Sequence, residues 1–248
     1  QILHKPELSK ADIVCLLNAT GEDMELLFNH AARIKQQYIG NTVHLRALVE
    51  LSNSCEKDCY YCGIRKSNSN VHRYSISEDE VLEAVRFAYE NGYGSVAIQS
   101  GEIQSPAFTE KINRILLKTR EMTNGELGIT LSCGEQTEET YRKWMEAGAN
   151  RYLLRIETSN PELYRKLHPN DDIHRFERRL EALEMLKKTG YQAGTGVMIG
   201  LPFQTLEDLA NDLLFMKKFD IDMCGMGPYI EHHETPLFAY KDSLMPLK

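Results

Sequence analysis

From residue 43 onward the chain alternates strand-like and helix-like segments, and this alternation limits the fold more than any other feature. VHLRALVELS (43–52), SVAIQSG (95–101), ELGITLSCG (126–134), RYLLRIET (151–158), QAGTGVMIG (192–200) and MCGMGPYI (223–230) read as six strands. Ser77-x-x-Glu80 is a capping box with Ile76 and Val81 as a hydrophobic staple, and it opens a helix that runs to Asn91 and stops at Gly92. A helix follows over about 106–122. Thr137 caps the next, with Glu138 and Glu139 in its first turn, and this one ends at Gly148. Another lies near 173–189 and ends at Gly190, and Thr205 caps LEDLANDLLFMKKF. Short strand–helix connections of this kind build a parallel sheet with right-handed crossovers.

Such a sheet is either open and doubly wound or part of a barrel, and the polar residues favour the barrel. They gather at the C-terminal ends of the strands: a cysteine loop after the first, then 99–102, 132–135, 155–157 and 195–200. One ring of loops at one mouth is how a (β/α)8 enzyme builds its site. A Rossmann fold would carry a Gly-rich phosphate turn after the first strand. Gly194-x-Gly196-x-x-x-Gly200 instead lies inside a strand pattern. The expected fold class is therefore α/β, a (β/α)8 TIM-type barrel over 43–248 whose last two βα units are missing from this chain. Residues 1–42 read as a separate N-terminal helical extension, in which Met24, Leu27, Phe28, Ala31, Ile34 and Tyr38 form the apolar face of a packing helix.

The loop after the first strand reads SNSCEKDCYYCGIR and places Cys55, Cys59 and Cys62 at C-x3-C-x2-C spacing. Thiolates are soft ligands suited to iron–sulfur clusters or zinc. A structural zinc site wants four ligands, and the nearest further donor is His72. A [4Fe–4S] cluster held by three cysteines leaves one iron open to bind something else. A disulfide fits poorly where nothing indicates secretion, and a core reading fits poorly among Asn, Glu, Lys and Asp. Cys15, Cys133 and Cys224 are scattered, and each reads as a buried small residue. His232, His233 and Glu234 are metal-ligand types that also suit an ordinary surface loop.

Composition excludes some partners. The 248 residues are 42% apolar and 26% charged with net charge −7, an ordinary globular balance. No long basic patch points to nucleic acid, and no apolar run of about 18 residues points to a membrane span. Reduced cysteines place the expected protein in the cytoplasm.

The cysteine loop, with Tyr61 before its last cysteine, resembles the signature of the radical S-adenosylmethionine (SAM) superfamily. The strings HLRALVELSNSCEKDCYYCGIR, HRYSISEDE, IQSGE, TLSCGE, KWMEAGANRYLLRIETSNPELYRKLHP, MIGLPFQTLEDLANDLLFMKKFDIDMCGMGPYI and HHETPL cover most of 43–237. They resemble the biotin-synthase-like branch, and within it the HydE-type maturases of [FeFe]-hydrogenase. Methylornithine synthase shares ETxxxELYRKL and stays an alternative. So does biotin synthase, although Cys133 alone does not supply the cysteines of its second cluster. An iron–sulfur electron carrier and a zinc-binding module are the non-enzyme alternatives.

The resemblance implies roles. Cys55, Cys59 and Cys62 would ligate a [4Fe–4S] cluster, and Tyr61 would shield it near the adenine of SAM. Gln99, Ser100, Gly101 and Glu102 match the segment that meets the SAM amino group, and Glu135 and Glu157 match further cofactor-facing groups. Arg179 matches the arginine that holds the SAM carboxylate, and Met198 and Ile199 match the adenine-packing segment. Ser132 and Arg155 match polar groups that face the reaction cavity. The implied activity is reductive SAM cleavage to a 5′-deoxyadenosyl radical in assembly of the di-iron subcluster. The implied partners are a small sulfur-containing or iron–cysteine substrate, a low-potential donor such as flavodoxin or ferredoxin, and the other maturases. Ile156 stands where some relatives carry histidine.

Part of this has independent physical support. Strand alternation puts Leu153, Arg155 and Glu157 on one face, and two charges facing a barrel interior need a partner or a ligand. A zwitterion such as SAM satisfies both, as would an internal Arg155–Glu157 pair. Arg179 lies in HRFERRL, where Arg175, Arg178 and Arg179 also read as a solvated helix face. Gln99 and Ser132 also read as satisfied core polar groups.

Overall fold

The computed structural model describes residues 2–246. Two helices, α1 (Lys10–Leu17) and α2 (Gly21–Tyr38), precede the sheet. The strands are β1 (Arg46–Ser52), β2 (Ser95–Ser100), β3 (Gly128–Ser132), β4 (Arg151–Leu153), β5 (Gln192–Thr195), β6 (Met198–Ile199), β7 (Met223–Cys224) and β8 (Gly227–Pro228). Between them run α3 (Glu78–Glu90), α4 (Pro106–Met122), α5 (Glu138–Glu146), α6 (Pro161–Leu167), α7 (Phe176–Thr189) and α8 (Leu206–Phe219). No helix among the described residues is long and apolar enough to cross a membrane.

Six strands form one parallel sheet in the order β1-β2-β3-β4-β5-β7. Val49, Ile98, Leu131, Tyr152 and Ala193 pair in register across it. These residues are buried and form one core with Val81, Val85, Ile112, Leu116, Trp144 and Leu183 from the helices. The neighbouring positions, Glu50, Gln99 and Ser132, are also in register but lie on the opposite face. Helices thus cover one face, and the other is polar. A doubly wound sheet would have both faces covered, so the sheet is of barrel type.

The helices begin where local chemistry dictates. The Ser77 backbone N–H donates to Glu80 Oε2 at 2.7 Å, and the Glu80 N–H donates to Ser77 Oγ at 3.2 Å. Thr205 and Asp208 repeat the box at α8. Several strands are shorter than the sequence pattern implies. The expected fourth strand stops at Leu153, because Ile156 N–H turns to Thr195 Oγ1 and Glu157 takes φ +65°. The expected fifth and sixth strands each break in two, and β6 pairs with β8 in a separate small sheet. Helix α6 was not expected; Asn160 caps it and Pro161 opens it.

Three expectations about burial need correcting. Helix α2 forms, but Phe28, Ile34 and Tyr38 on its apolar side are exposed and none of its residues is buried. Helix α1 is not separate from the rest, since it packs on α8. Cys133 is buried, whereas Cys15 and Cys224 are exposed, Cys224 because it lies in the short edge strand β7.

Gly196 marks the closest backbone approach. A Cβ there would overlap the Gly225 carbonyl, just past the Gly225 N–H to Thr195 O hydrogen bond of 2.8 Å. Gly196→Ala should therefore destabilise the fold by about 1–3 kcal/mol. A thermal melt should show a midpoint several degrees lower, and an unchanged midpoint would contradict the packing described.

Candidate metal and cofactor site

The cysteine loop leaves β1 at Ser52 and folds over the C-terminal ends of β2 and β3. Its own backbone bonds are few: Cys62 N–H to Cys59 O at 3.2 Å, Arg65 N–H to Cys62 O at 3.2 Å, Lys66 N–H to Lys57 O at 2.8 Å and Asn68 N–H to Arg65 O at 3.0 Å. The rest of the framework is supplied by other segments. The Glu56 N–H donates to Glu102 O at 2.8 Å, and the Glu102 N–H donates to Cys55 Sγ at 3.4 Å. Gly101 lies so close to the loop that a Cβ would overlap Ser54 O and crowd Cys55 Cβ. Arg73 donates to the carbonyls of Asn53, Ile64 and Arg65 at 2.6–2.7 Å and closes the loop from behind. Glu234 accepts from Asn68 and Asn70, and His232 packs on Gly63, so the segment after β8 braces the loop.

All three cysteines line one cavity of about 560 Å³. Tyr61, Gln99, Ser100, Gly101 and Glu102 line it too, as do Ser132, Arg155, Glu157 and Arg179. Met198 and Ile199 do not. Met198 is buried in a small cluster with Leu163, Leu167, Leu201, Tyr229 and Leu237, and Ile199 packs against the main core. Glu135 is also outside the lining. Ile156 is fully buried on the helix side.

Sequence reading missed a charge network that reaches the cavity wall at Lys57, Glu102 and Arg179. Lys57 Nζ stands 3.1 Å from Glu102 Oε1 and 3.0 Å from Glu135 Oε2. Arg179 Nη2 is 3.5 Å from Glu102 Oε2, Arg179 Nε is 2.8 Å from Glu135 Oε1, and Arg178 Nε is 2.9 Å from Glu135 Oε2. Three cations thus share two buried carboxylates. Burial pushes the Glu135 carboxyl up, but Arg179, Lys57 and Arg178 outweigh it and hold the group below its ordinary value. For Glu102 burial wins and the carboxyl is raised. Arg179 therefore belongs to no solvated face.

The charged residues on the cavity wall are paired but not fully hydrogen-bonded. Arg155 Nη2 is 3.2 Å from Glu157 Oε2 and 2.9 Å from Val197 O. Yet Arg155 Nε, Glu157 Oε2 and Arg179 Nε lack an aligned hydrogen bond. Burial raises the Glu157 carboxyl, with Arg155 and Arg179 pulling the other way. Unaligned buried charges of both signs beside one cavity suit a ligand that carries an ammonium and a carboxylate. Burial pushes all three thiols up, Cys59 to about 12, so thiolates form as metal binds. Among the described residues no three His, Cys, Asp or Glu side chains converge on a single-ion position. A cluster asks for a different arrangement, with each thiolate on a separate iron.

A barrel-type parallel sheet with three thiols and charges of both signs around one cavity at its mouth has the make-up of a cluster-bearing barrel protein. This chain belongs to the radical SAM superfamily, whose model matches residues 49–216. That superfamily's cofactors are a [4Fe–4S] cluster and SAM, and the residues described above fit both. The chain is 46% identical over 213 residues to the [FeFe] hydrogenase maturase subunit HydE of Thermotoga maritima, covering 86% of this chain and 59% of the relative. It is 28% identical to the 3-methylornithine synthase of Methanosarcina acetivorans, covering 98% of this chain and 68% of the relative. A crystal structure of methylornithine synthase superposes with TM-score 0.84 at 27% identity, over 96% of this chain and 69% of that one. The hydrogenase maturase HydG shares the fold at TM-score 0.80 and 23% identity, over 99% of this chain and 56% of that one.

Proposed function

We propose that this chain forms the cluster- and SAM-binding part of a HydE-like enzyme acting in assembly of the [FeFe]-hydrogenase di-iron subcluster. The observation that carries the reading is the placement of Cys55, Cys59 and Cys62 on the same cavity as Arg155, Glu157 and Arg179. The identity to HydE supports the choice among radical SAM enzymes.

Cys55, Cys59 and Cys62 would hold the cluster, which when bound supplies the electron that cleaves SAM to methionine and a 5′-deoxyadenosyl radical. The chain's own residues do the positioning. Arg179 offers its guanidinium to the SAM carboxylate, and Glu102 and Glu157 offer oxygens to the ammonium. Tyr61 stands at the cavity with its ring edge on His168, at a centroid distance of 5.4 Å, and limits water at the cluster. Ser132 and Arg155 orient the substrate, a small sulfur-containing or iron–cysteine species. A flavodoxin or ferredoxin supplies electrons, and other hydrogenase maturases supply or receive the product.

The test is anaerobic reconstitution with iron and sulfide, reduction in the presence of SAM, and quantification of 5′-deoxyadenosine. Product above a no-reductant control is expected. Its absence with an intact cluster would remove the enzyme reading for this chain. Addition to a hydrogenase maturation assay lacking its HydE component should restore hydrogen evolution. Formation of 3-methylornithine instead would move the assignment to that relative's reaction.

A further inference from the structure

Behind the cysteine loop, away from the cavity lining, sit two titratable groups with no part in the chemistry above. Asp171 caps the short 3-10 helix Asp172–His174. Its Oδ1 accepts from the Ile173 N–H at 3.1 Å and the His174 N–H at 3.0 Å, and stands 2.7 Å from His174 Nδ1. A carboxylate only accepts, so Nδ1 carries the ring proton and Nε2 keeps a lone pair. His174 is 4% exposed, and burial lowers its pKa, which keeps the ring neutral. That lone pair is not idle. Nε2 accepts from the backbone N–H of Asp58 at 2.8 Å.

Asp58 immediately precedes Cys59. On its other side, Lys57 Nζ donates to the carbonyl of Ile173 in the same turn. Immediately after Cys59, the Tyr60 N–H donates to Leu167 O at 2.9 Å. Residues 167–174 thus grip the loop on both sides of Cys59, itself only 8% exposed. A metal ligand must be held to within about half an ångström, and the groups that orient ligands control affinity by roughly 10–100-fold.

We infer that His174, oriented by Asp171, is the positioning residue for Cys59, fixing through the Asp58 amide the loop geometry in which three thiolates meet one cluster. The inference rests on the cluster reading of the loop. A Gln at 174 can still present an acceptor to the Asp58 amide. A Leu of similar volume cannot, and leaves a buried N–H unpaired.

The experiment compares the wild-type chain with His174→Leu, His174→Gln and Asp171→Ala. Each is reconstituted anaerobically, and iron and sulfide per chain, iron loss to a chelator, and the spin-resonance spectrum of the reduced protein with and without SAM are recorded beside a thermal melt. His174→Leu should lose iron about tenfold faster than wild type, with a weakened SAM-induced change in the spectrum. His174→Gln should recover most of the retention. Asp171→Ala, at a half-exposed position, releases the ring orientation and should lose iron several-fold faster even where His174→Leu fails to fold. Wild-type retention in every variant that folds would overturn the inference and leave the cluster reading standing. A wild-type chain that takes up no iron and sulfide would overturn both.

Discussion

Cys59→Ala should leave the chain folded and remove its chemistry. The thiol has a side-chain hydrogen bond with Tyr61 that alanine would remove, but Cys59 holds the loop through its carbonyl, which accepts from the Cys62 N–H, and alanine keeps that carbonyl. The neighbours that anchor the loop, Lys57 and Asp58, are untouched. Only one buried sulfur is lost, at a cost of about 1 kcal/mol or less in stability. A cluster left with two thiolates has lost a direct ligand, and removing mere supporting groups already costs 10–100-fold. The expected result is iron content near background and a rate of 5′-deoxyadenosine formation at least about a hundredfold lower. A variant that retained wild-type product formation would show that Cys59 is not a ligand.

Much of this site was legible because its chemistry is local. The C-x3-C-x2-C spacing, the Ser77–Glu80 box and the Thr205 cap lie within a few residues, and each has a chemical reason to adopt one geometry. The facing of Arg155 and Glu157 was also legible, since both line the cavity even though β4 ends before them. What was not legible depends on distance. Lys57 lies in sequence between Glu56 and Asp58, with no local pattern to single it out. Only folding brings to it Glu102, Glu135 and the Ile173 carbonyl, from segments up to 116 residues away. Arg73 and His174 were missed for the same reason, because their partners are backbone atoms that no side-chain pattern announces. The split of the fifth strand escaped because Gly194, Gly196 and Gly200 suit a strand or a bend equally well. The exposed side of α2 escaped because amphipathic spacing says that a face is apolar and not what covers it.

The charge network gives the largest stability effect expected outside the ligands. Lys57 and Arg179 are nearly buried, and Glu102 and Glu135 balance them, with the partly exposed Arg178 as a fifth member. Glu135→Gln keeps the shape and removes one negative charge, leaving the two buried cations with Glu102 alone. Breaking a buried pair in this way costs about 3–5 kcal/mol, which for a chain of this size lowers the melting midpoint by roughly 10 °C. The pH dependence identifies the cause. Because the folded Glu135 carboxyl is held below its ordinary value, its contribution is complete above the unfolded carboxylate pKa of about 4.3. It is lost as pH falls from there through the folded value. The stability difference between wild type and Glu135→Gln should therefore be level at neutral pH and shrink in acid. Denaturant melts at a series of pH values measure that difference directly. A gap that stayed constant into acid would assign the loss to packing rather than charge, and a gap below about 1 kcal/mol at neutral pH would mean that solvent reaches the network.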